Sequence, residues 1–486
     1  MSHFAGPRAQ SFTGSMRQYQ FDLPATLRLR QLIDEYGRMR RLEEMTPQRR
    51  GQRFNQLVAD LLGCWGTERV QANVLGTGEI DVAFTIDGTR FLLEAKWEAG
   101  PVSFDPIAKL SRRISQRLSG TRGVFLSMSG YTADARRDAL RGQQPDMLLI
   151  DRTHLEAMLS GLFSPADLFA ELVDRASYRG EVYTGLMDLV VPPEETELPA
   201  LALGSPPEQV IPVVTETAPG VHAEVILHGI QPTATTVDGL AVDQSGQLLL
   251  TMPDGIASAG LWTGVTDWAV PIPGCRRGAL ALADGSILVL HGAAVLRWSD
   301  RSVAVAGGGF TGGTSLLAGP DGEAWVFDYK TAGWAGGGRT VTLTRLATDL
   351  QLGDEERHTV DFHAGIWSAV WLSGRRFYLA GDGHFGVIDL DRNEAVAIDD
   401  RLRSPHPDQR GSTRVDERTV LTASRHGTVY RIDFESGLST CVARLDMLAL
   451  GCDMAAGPPG SAYVLEHRGG PRAFIPIVVK LSGSLS

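Results

Sequence analysis

Three charged side chains at the ends of two short apolar runs have the types needed for metal-assisted hydrolysis. Asp81 opens a β-branched run, and Glu94 and Lys96 close a second one. The dipeptide Asp87-Gly88 between the runs predicts a two-residue hairpin turn. Residues two apart on a strand share a face of the sheet. We therefore expect Glu94 and Lys96 to point the same way, and Asp81 to reach the same end of the hairpin.

These residue types suit the cleavage of a phosphodiester. Hard divalent cations such as Mg²⁺ bind carboxylate and carbonyl oxygens and keep part of their water. A bound cation polarises a phosphoryl oxygen and lowers the pKa of the attacking water. A neighbouring lysine can stabilise the charge that develops on the phosphate. The plainer interpretation is an exposed acidic residue beside an ordinary edge strand, so the surrounding elements must decide between the two.

The elements around the hairpin alternate between helices and strands. Thr46-Pro47 predicts a helix start, because a capping hydroxyl precedes a proline at the first helical position. Hydrophobic periodicity predicts helices over 24–44, 46–62, 103–118, 132–141, 153–160 and 165–176, and strands over 68–75, 80–86, 90–96, 124–128 and 147–150. This order is typical of an α/β sandwich around a mixed sheet.

In this setting the charged residues resemble a nuclease signature. Asp81, twelve intervening residues and Glu94-Ala95-Lys96 are similar to the D-(x)n-E-x-K pattern of the PD-(D/E)xK nucleases, and of Mrr-like restriction endonucleases in particular. Three further stretches resemble that family: Gly51-x-x-Phe54, Gly123-Val-Phe-Leu, and the run from Asp146 to Asp151. The resemblance covers about residues 45–162.

The resemblance implies a metal-dependent endonuclease that hydrolyses DNA, and a prokaryotic restriction or anti-phage effector. Asp81, Glu94 and Lys96 would be the catalytic residues. Asp81 and Glu94 would hold Mg²⁺ or Mn²⁺, and Lys96 would orient the nucleophile or stabilise the phosphate. The alternative is a catalytically retired domain that only binds DNA or acts as a scaffold.

Two positions depart from the family pattern. Asn55 stands where the family usually has a glutamate that supports the metal site, and Glu79 stands where it often has glycine. Both are candidates to support the site, as is Gln116. The helix over 103–118 also carries candidate contacts to the DNA backbone, namely Lys109, Arg112, Arg113 and Arg117.

Composition shifts divide the chain of 486 residues into several parts. The expected division is a disordered N-terminus over 1–20, a nuclease domain over 21–183, a proline-rich linker without regular structure over 184–220, and a β-propeller over 221–486. The net charge is −11. Residues 1–183 hold 24 basic and 22 acidic residues, and the remainder holds 22 basic and 35 acidic ones. The basic character therefore lies with the nuclease.

The C-terminal part contains internal repeats, in which a strand, a turn with Asp, Gly or Ser, and a very apolar strand follow one another. Corresponding residues lie at positions 240, 279, 315, 369, 413 and 453. This spacing predicts six blades of an all-β propeller. Because a propeller must close its ring to hide its sheet edges, we expect the strand over 221–229 to complete the last blade beside 475–481. The repeats resemble propellers of the NHL or WD-repeat type.

The propeller is expected to sense a signal or to bind a partner. The best candidate for a surface that contacts a protein partner is an acidic insertion loop with His358, His363, Asp354, Glu355, Glu356 and Asp361. A hydrolase carried by the propeller is a further alternative. Such an enzyme would need a cluster of acidic residues at the central channel, and the repeats contain no recurrent acidic position that supplies one.

The remaining expectations concern location and assembly. The four cysteines are scattered without metal-ligand spacing, and no apolar run is long enough to span a membrane, so we expect a cytoplasmic protein. The helix over 24–44 has an apolar stripe with Leu27, Leu32, Tyr36 and Met39, which has no obvious place in a core that is complete from residue 46. We expect that stripe to be exposed and to pack against its copy in a homodimer.

Overall fold

The structure is a computed structural model. It describes residues 23–43, 45–74, 80–139, 147–191, 203–204, 214–229, 237–259, 266–300, 302–311, 314–319, 322–329, 339–347, 349–362, 366–381, 385–392, 394–397, 409–424, 427–434, 436–445, 453–468 and 475–486. Glu79, the expected disordered N-terminus and much of the predicted linker lie outside these residues. Among the described residues, no helix has the length and apolar character that crossing a membrane would require.

The N-terminal part of the chain forms the predicted α/β domain. Its elements are α1 (Leu23–Arg40), α2 (Pro47–Cys64), β1 (Glu68–Val74), β2 (Ile80–Ile86), β3 (Thr89–Lys96), α3 (Phe104–Ser115), β4 (Thr121–Ser127), α4 (Ala133–Asp138), β5 (Met147–Asp151), α5 (Arg152–Ser160) and α6 (Pro165–Arg179). The strands form one sheet in chain order. β1 to β3 pair antiparallel, whereas β3, β4 and β5 pair parallel. The prediction of a mixed sheet is confirmed.

Helices cover both faces of this sheet. On one face, α2, α5 and α6 pack on residues such as Val82, Leu93 and Val124. On the other face, α3 buries Ile107, Leu110 and Ile114 against Phe125 and its neighbours. The start of α2 follows its sequence signal, because the Thr46 hydroxyl accepts a hydrogen bond from the Arg49 amide at 3.3 Å and proline follows at the first position.

The hairpin that carries the charged residues closes through the predicted two-residue turn. Ile86 pairs with Thr89 across it. Both turn residues have left-handed backbone angles, with φ of 47° at Asp87 and 76° at Gly88. A turn with positive φ at both central positions matches the twist of the flanking strands, and aspartate and glycine tolerate that conformation best. The local sequence therefore determines the register of the hairpin.

The connection to the propeller is more regular than predicted. It contains α7 (Leu186–Val190), β6 (Leu203–Gly204) and β7 (Val214–Thr217), and is followed by β8 (Val221–Gly229). β6 pairs with β8, and β7 pairs with a strand of the fifth blade. The expectation of a linker without regular structure is wrong for these residues. The short segments β6 and β7 pair through their backbone groups with sheet edges that would otherwise be exposed.

Six antiparallel sheets form the propeller. Blade 1 has β9 (Gly239–Val242), β10 (Leu248–Met252), β11 (Gly255–Ala259) and β12 (Thr266–Val270); blade 2 has β13 (Cys275–Ala281), β14 (Ile287–His291), β15 (Ala294–Ser299) and β16 (Ser302–Gly307). Blade 3 has β17 (Thr314–Ala318), β18 (Ala324–Tyr329), β19 (Arg339–Arg345) and β20 (Glu356–Phe362); blade 4 has β21 (Ile366–Ser373), β22 (Arg376–Gly381), β23 (Phe385–Asp389) and β24 (Glu394–Ala397).

The last two blades include strands from the connection. Blade 5 has β25 (Gln409–Arg414), β26 (Thr419–Ser424), β27 (Thr428–Asp433) and β28 (Leu438–Leu445), with β7 at its edge; blade 6 has β29 (Asp453–Ala456), β30 (Ser461–Arg468) and β31 (Ile475–Gly483), with β8 and β6. β8 pairs antiparallel with β31 along most of its length. The predicted six blades and the closure of the ring by the strand over 221–229 are both confirmed.

The α/β domain and the propeller share one hydrophobic core. The same buried cluster contains residues of α1, α2, α5 and α6, and residues of the first two blades such as Val270, Trp298, Val303 and Val305. A backbone hydrogen bond of 3.0 Å also joins the Gly309 amide of the propeller to the carbonyl of Ser160 at the end of α5. The two parts of the chain therefore cover apolar surface of each other.

Helix α1 lies within this shared region, which corrects a second expectation. Leu32, Tyr36 and Met39 are fully buried, and Leu27 alone of the four predicted stripe residues is exposed, at 45%. Tyr36 donates a hydrogen bond to Glu156 of α5 at 2.7 Å. The stripe is covered by the helix's own chain, so it leaves no apolar surface that requires a second copy.

The acidic insertion also contacts this helix. Asp354 pairs with Arg40 and Arg41 of α1, and the Glu355 side chain is fully buried. The prediction that these two residues face a separate protein partner is therefore wrong. His358 belongs to strand β20, and His363 lies outside the described residues.

Candidate active site

Asp81 is held at the rim of the hairpin by two hydrogen bonds. The Ala95 backbone amide donates to its Oδ2 at 2.8 Å, and the Asn55 side-chain amide donates to its Oδ1 at 2.9 Å. Val82 pairs with Leu93, so Asp81 lies one position beyond the last paired residues, opposite Glu94. The Asp81 carboxylate accepts the hydrogen bond of the Ala95 amide in place of a backbone carbonyl of the paired strand. This contact fixes the orientation of the carboxylate at the open end of the hairpin.

Glu94 lies on the adjacent strand with two cations on its carboxylate. Lys96 Nζ lies 3.5 Å from Oε1, and Arg113 Nη1 from α3 donates to Oε2 at 3.0 Å. The Glu94 side chain is only 12% exposed, whereas Lys96 and Arg113 are 36% and 35% exposed. Burying a carboxylate costs less free energy when cations pair with it, and these two cations pair with Glu94 while staying accessible from solvent.

An aromatic cluster behind Lys96 holds the end of strand β3. Trp97 packs edge-on against Phe54 of α2, with 4.8 Å between the ring centroids, and lies 5.9 Å from Tyr36 of α1. The Arg50 guanidinium lies 4.6 Å above the Trp97 ring, and burial lowers the pKa of Arg50. Strand β3 thus ends in a packed cluster, so Lys96 extends from a rigid position.

The two carboxylates suit a cation such as Mg²⁺, which does not take all of its ligands from the protein. Within the described ranges, no group of three or more histidine, cysteine, aspartate or glutamate side chains is placed to hold a metal ion. Mg²⁺ typically uses one or two carboxylates and fills its other positions with water and phosphate oxygens. Each carboxylate oxygen has a second lone pair beyond the contacts already made. Asp81 and Glu94 therefore have the right chemistry for such an ion.

The other predicted site residues are not all brought to this point. Asn55 contacts Asp81 as described, and its amide also lies 3.3 Å from Asn73 Oδ1. Gln116 follows the last residue of α3 and is exposed, as are Lys109 and Arg112, whereas Arg117 is partly buried. Lys109 and Arg112 lie on the same helix as Arg113, and Gln116 and Arg117 follow that helix, but only Arg113 has a described contact with Glu94.

The contact from Arg113 was not expected from the sequence, which had suggested a role on the DNA backbone. Its neighbour Ile114 belongs to the buried face of α3, so Arg113 lies at the border of that face. Helix α3 follows β3 in a parallel crossover and must therefore pack back across the sheet. The sequence signal that could have indicated this contact is a polar residue at the border of an apolar stripe, on a helix that covers strand β3.

A second polar cluster lies two strands away and serves the fold. Lys96 is level with Ser127, and Ser127 with Asp151. Asp151 caps α5 and accepts hydrogen bonds from Thr153 N at 2.9 Å and Tyr183 Oη at 2.6 Å. Burial acts to raise the pKa of Asp151, but the neighbouring His154 and these hydrogen bonds hold it well below its ordinary value. The contacts of this carboxylate are those of a helix cap.

Comparison with known proteins supports the assignment of the α/β domain. Residues 45–159 match the Mrr catalytic-domain family, described as restriction endonuclease. These residues therefore form a restriction endonuclease domain, and they include the candidate site residues Asp81, Glu94 and Lys96. No curated protein matches the chain.

Two solved structures are similar to parts of the chain. One is a protein of unknown function from Dyadobacter fermentans, with 14% identity, a TM-score of 0.40, and coverage of 54% of this chain and 99% of its own. The other is the calcium-binding protein regucalcin from Agrobacterium tumefaciens, with 13% identity, a TM-score of 0.38, and coverage of 53% and 96%.

Proposed function

We propose that this protein is a metal-dependent DNA endonuclease whose site consists of Asp81, Glu94 and Lys96. The observation that carries the proposal is the convergence of two carboxylates and an ammonium group at one open end of the hairpin, within a restriction endonuclease domain. Asp81 and Glu94 would hold Mg²⁺ or Mn²⁺. When bound, such a cation polarises the phosphoryl oxygen and lowers the pKa of water.

The residues of the chain have separate tasks in this proposal. Asn55 and the Ala95 amide orient Asp81, so that its carboxylate does not need to reorganise when DNA arrives. Lys96 remains 36% exposed, and its ammonium can bind the scissile phosphate or orient the attacking water. The exposed basic residues of α3 would contact the DNA backbone on the same side.

The direct test is plasmid cleavage by the purified full-length protein with Mg²⁺ or Mn²⁺. Asp81→Ala and Lys96→Ala should each lower the rate by at least about 10²-fold, because each removes stabilisation of the transition state. Glu98→Gln removes an exposed carboxylate nearby and should cleave like the wild type. Wild-type levels of cleavage by Asp81→Ala would refute the assignment.

A retired nuclease that binds DNA without cutting it is the second candidate. Two observations favour it. Asn55 stands where the family usually has a glutamate, and Arg113 already pairs with the Glu94 carboxylate. Calorimetric titration of wild type and Asp81→Ala with Mg²⁺ separates the candidates. Only the enzyme would show metal binding that depends on Asp81.

The wider role belongs to the same proposal. The propeller would sense a signal or bind a partner, and the protein would act on invading DNA in the cytoplasm of a prokaryote. Cys275 and Cys441 are free thiols, which suits a reducing compartment. A homodimer is also part of the proposal, because a break of both DNA strands takes two such sites. Light scattering of the full-length protein would test it.

A further inference from the structure

Arg113 and Lys96 share the single carboxylate of Glu94. Arg113 Nη1 lies 3.0 Å from Oε2, and Lys96 Nζ lies 3.5 Å from Oε1. An arginine bound to a carboxylate forms a strong charge-assisted hydrogen bond. A divalent cation that approaches Glu94 therefore meets a group that is already paired with the protein's own cation.

The fold brings Arg113 to this point by a close approach of α3 to the sheet. Gly123 on β4 faces α3, and a Cβ atom there would lie 3.1 Å from Ile114 Cγ1 and 2.8 Å from Met147 Cγ. The absence of a side chain at Gly123 thus lets Ile114 settle against the strand. Arg113, next to Ile114, is then carried to the carboxylate on the neighbouring strand β3.

The charges of the site are balanced in this arrangement. Asp81 and Glu94 bring two negative charges, and Lys96 and Arg113 bring two positive ones. A divalent cation changes that balance, because Glu94 would then share its negative charge among three cations. The Arg113 guanidinium can exchange Glu94 for a phosphate, since it is one-third exposed and matches a phosphate as well as a carboxylate.

We propose that Arg113 is a positioning residue with two partners. It holds Glu94 in place while the site lacks a divalent cation, it competes with that cation for the carboxylate, and it moves to the DNA phosphate when cation and substrate are bound. This inference rests on the proposed nuclease function. It predicts that loss of Arg113 raises the affinity for the metal but lowers the rate of DNA cleavage. The reason is that the group that competes with the metal for Glu94 also binds the phosphate.

The experiment compares full-length Arg113→Ala and Arg113→Lys with Arg112→Ala, which removes an exposed arginine from the same helix. Calorimetry with Mn²⁺ in the absence of DNA should show that Arg113→Ala binds the metal about 10-fold more tightly than the wild type, because the metal no longer competes with a hydrogen bond between charged groups, which is worth at least about that factor. At saturating Mn²⁺, Arg113→Ala should cleave plasmid about 10²-fold more slowly. Arg113→Lys should recover part of the cleavage, and Arg112→Ala should match the wild-type metal affinity.

Two results would overturn the inference. Metal binding by Arg113→Ala that is unchanged or weaker would exclude competition for Glu94, and cleavage by Arg113→Ala equal to that of the wild type would exclude the phosphate role. A wild type that binds Mn²⁺ but cuts no DNA would refute the nuclease proposal instead, while the metal affinities would still report on the pairing of Arg113 with Glu94. Failure of both wild type and Arg113→Ala to bind Mn²⁺ would also overturn the inference.

Discussion

Arg30 of the first helix donates a hydrogen bond to Asp328 of the propeller at 2.6 Å, which joins two residues almost three hundred positions apart. The side chains are 14% and 2% exposed. Arg30 also donates to the Gly309 carbonyl at 2.7 Å, and Asp328 accepts from the Thr311 amide. Burial raises the pKa of Asp328 despite these partners. The ion pair thus lies inside the region where the α/β domain and the propeller meet.

Arg30→Ala tests the importance of this pair for stability. The substitution leaves the Asp328 carboxylate buried with only Thr311 and more distant charges, and removing one partner of a buried pair costs about 3–5 kcal/mol. Denaturant unfolding of the full-length protein at neutral pH measures the change. Arg28→Ala is the control, since Arg28 is 50% exposed and pairs with Asp60 at 3.3 Å, and exposed pairs contribute about 0–1 kcal/mol. Similar losses in the two variants would contradict a special role for Arg30.

Gly37→Ala tests the close approach of α1 to the propeller. A Cβ atom at Gly37 would lie 2.0 Å from the Gly353 carbonyl oxygen, so the helix and the loop cannot keep their positions. We expect a lower melting temperature and faster proteolysis between the two parts.

Gly51→Ala is a matched control within helix α2, where no atom lies within 4 Å of the added methyl group. Replacing glycine by alanine in an open helix interior stabilises it by roughly 0.5–1 kcal/mol. The two substitutions should therefore change the free energy of unfolding in opposite directions. A gain in stability for Gly37→Ala would show that α1 does not lie against residue 353.

Asn55→Ala tests the orientation of Asp81. Without the amide at 2.9 Å, the carboxylate keeps only its bond from Ala95 N–H. Loss of a group that orients a metal ligand lowers metal affinity or activity about 10- to 100-fold, so Mn²⁺ binding and plasmid cleavage should both weaken. Gln56→Ala serves as the control, because Gln56 bonds to Asp60 on the same helix. Equal behaviour of the two variants would remove Asn55 from the site.

Asp151 should make the stability of the protein depend on acid pH. Burial opposes the charged form of Asp151, but the hydrogen bonds around it lower its pKa below the unfolded value of about 4. A lowered pKa contributes stability that is present above the unfolded pKa and is lost as the pH falls below it. The unfolding free energy of the wild type should therefore fall more steeply between pH 5 and pH 3 than that of Asp151→Asn. Asp134→Asn, at an exposed position of α4, should retain the wild-type slope.

The sequence alone determined the features that depend on short stretches of chain. The Asp-Gly turn places Asp81 opposite Glu94, because a two-residue turn permits one register. Thr46-Pro47 starts helix α2, because capping acts within one turn. The repeat spacing predicted six blades and the closing strand, because a propeller must bury every sheet edge. In each case the physical cause lies within a few residues or in a regular period.

The tertiary structure decided which surfaces meet. The apolar stripe of α1 required a cover, but hydrophobic contact has no direction, so the pattern suited a second copy as well as the propeller of the same chain. Gly37 facing Gly353, and Arg30 facing Asp328, select the propeller through a fit that only the folded chain defines. The pairing of Arg113 with Glu94 has the same origin, since it depends on how closely helix α3 approaches the strand at Gly123.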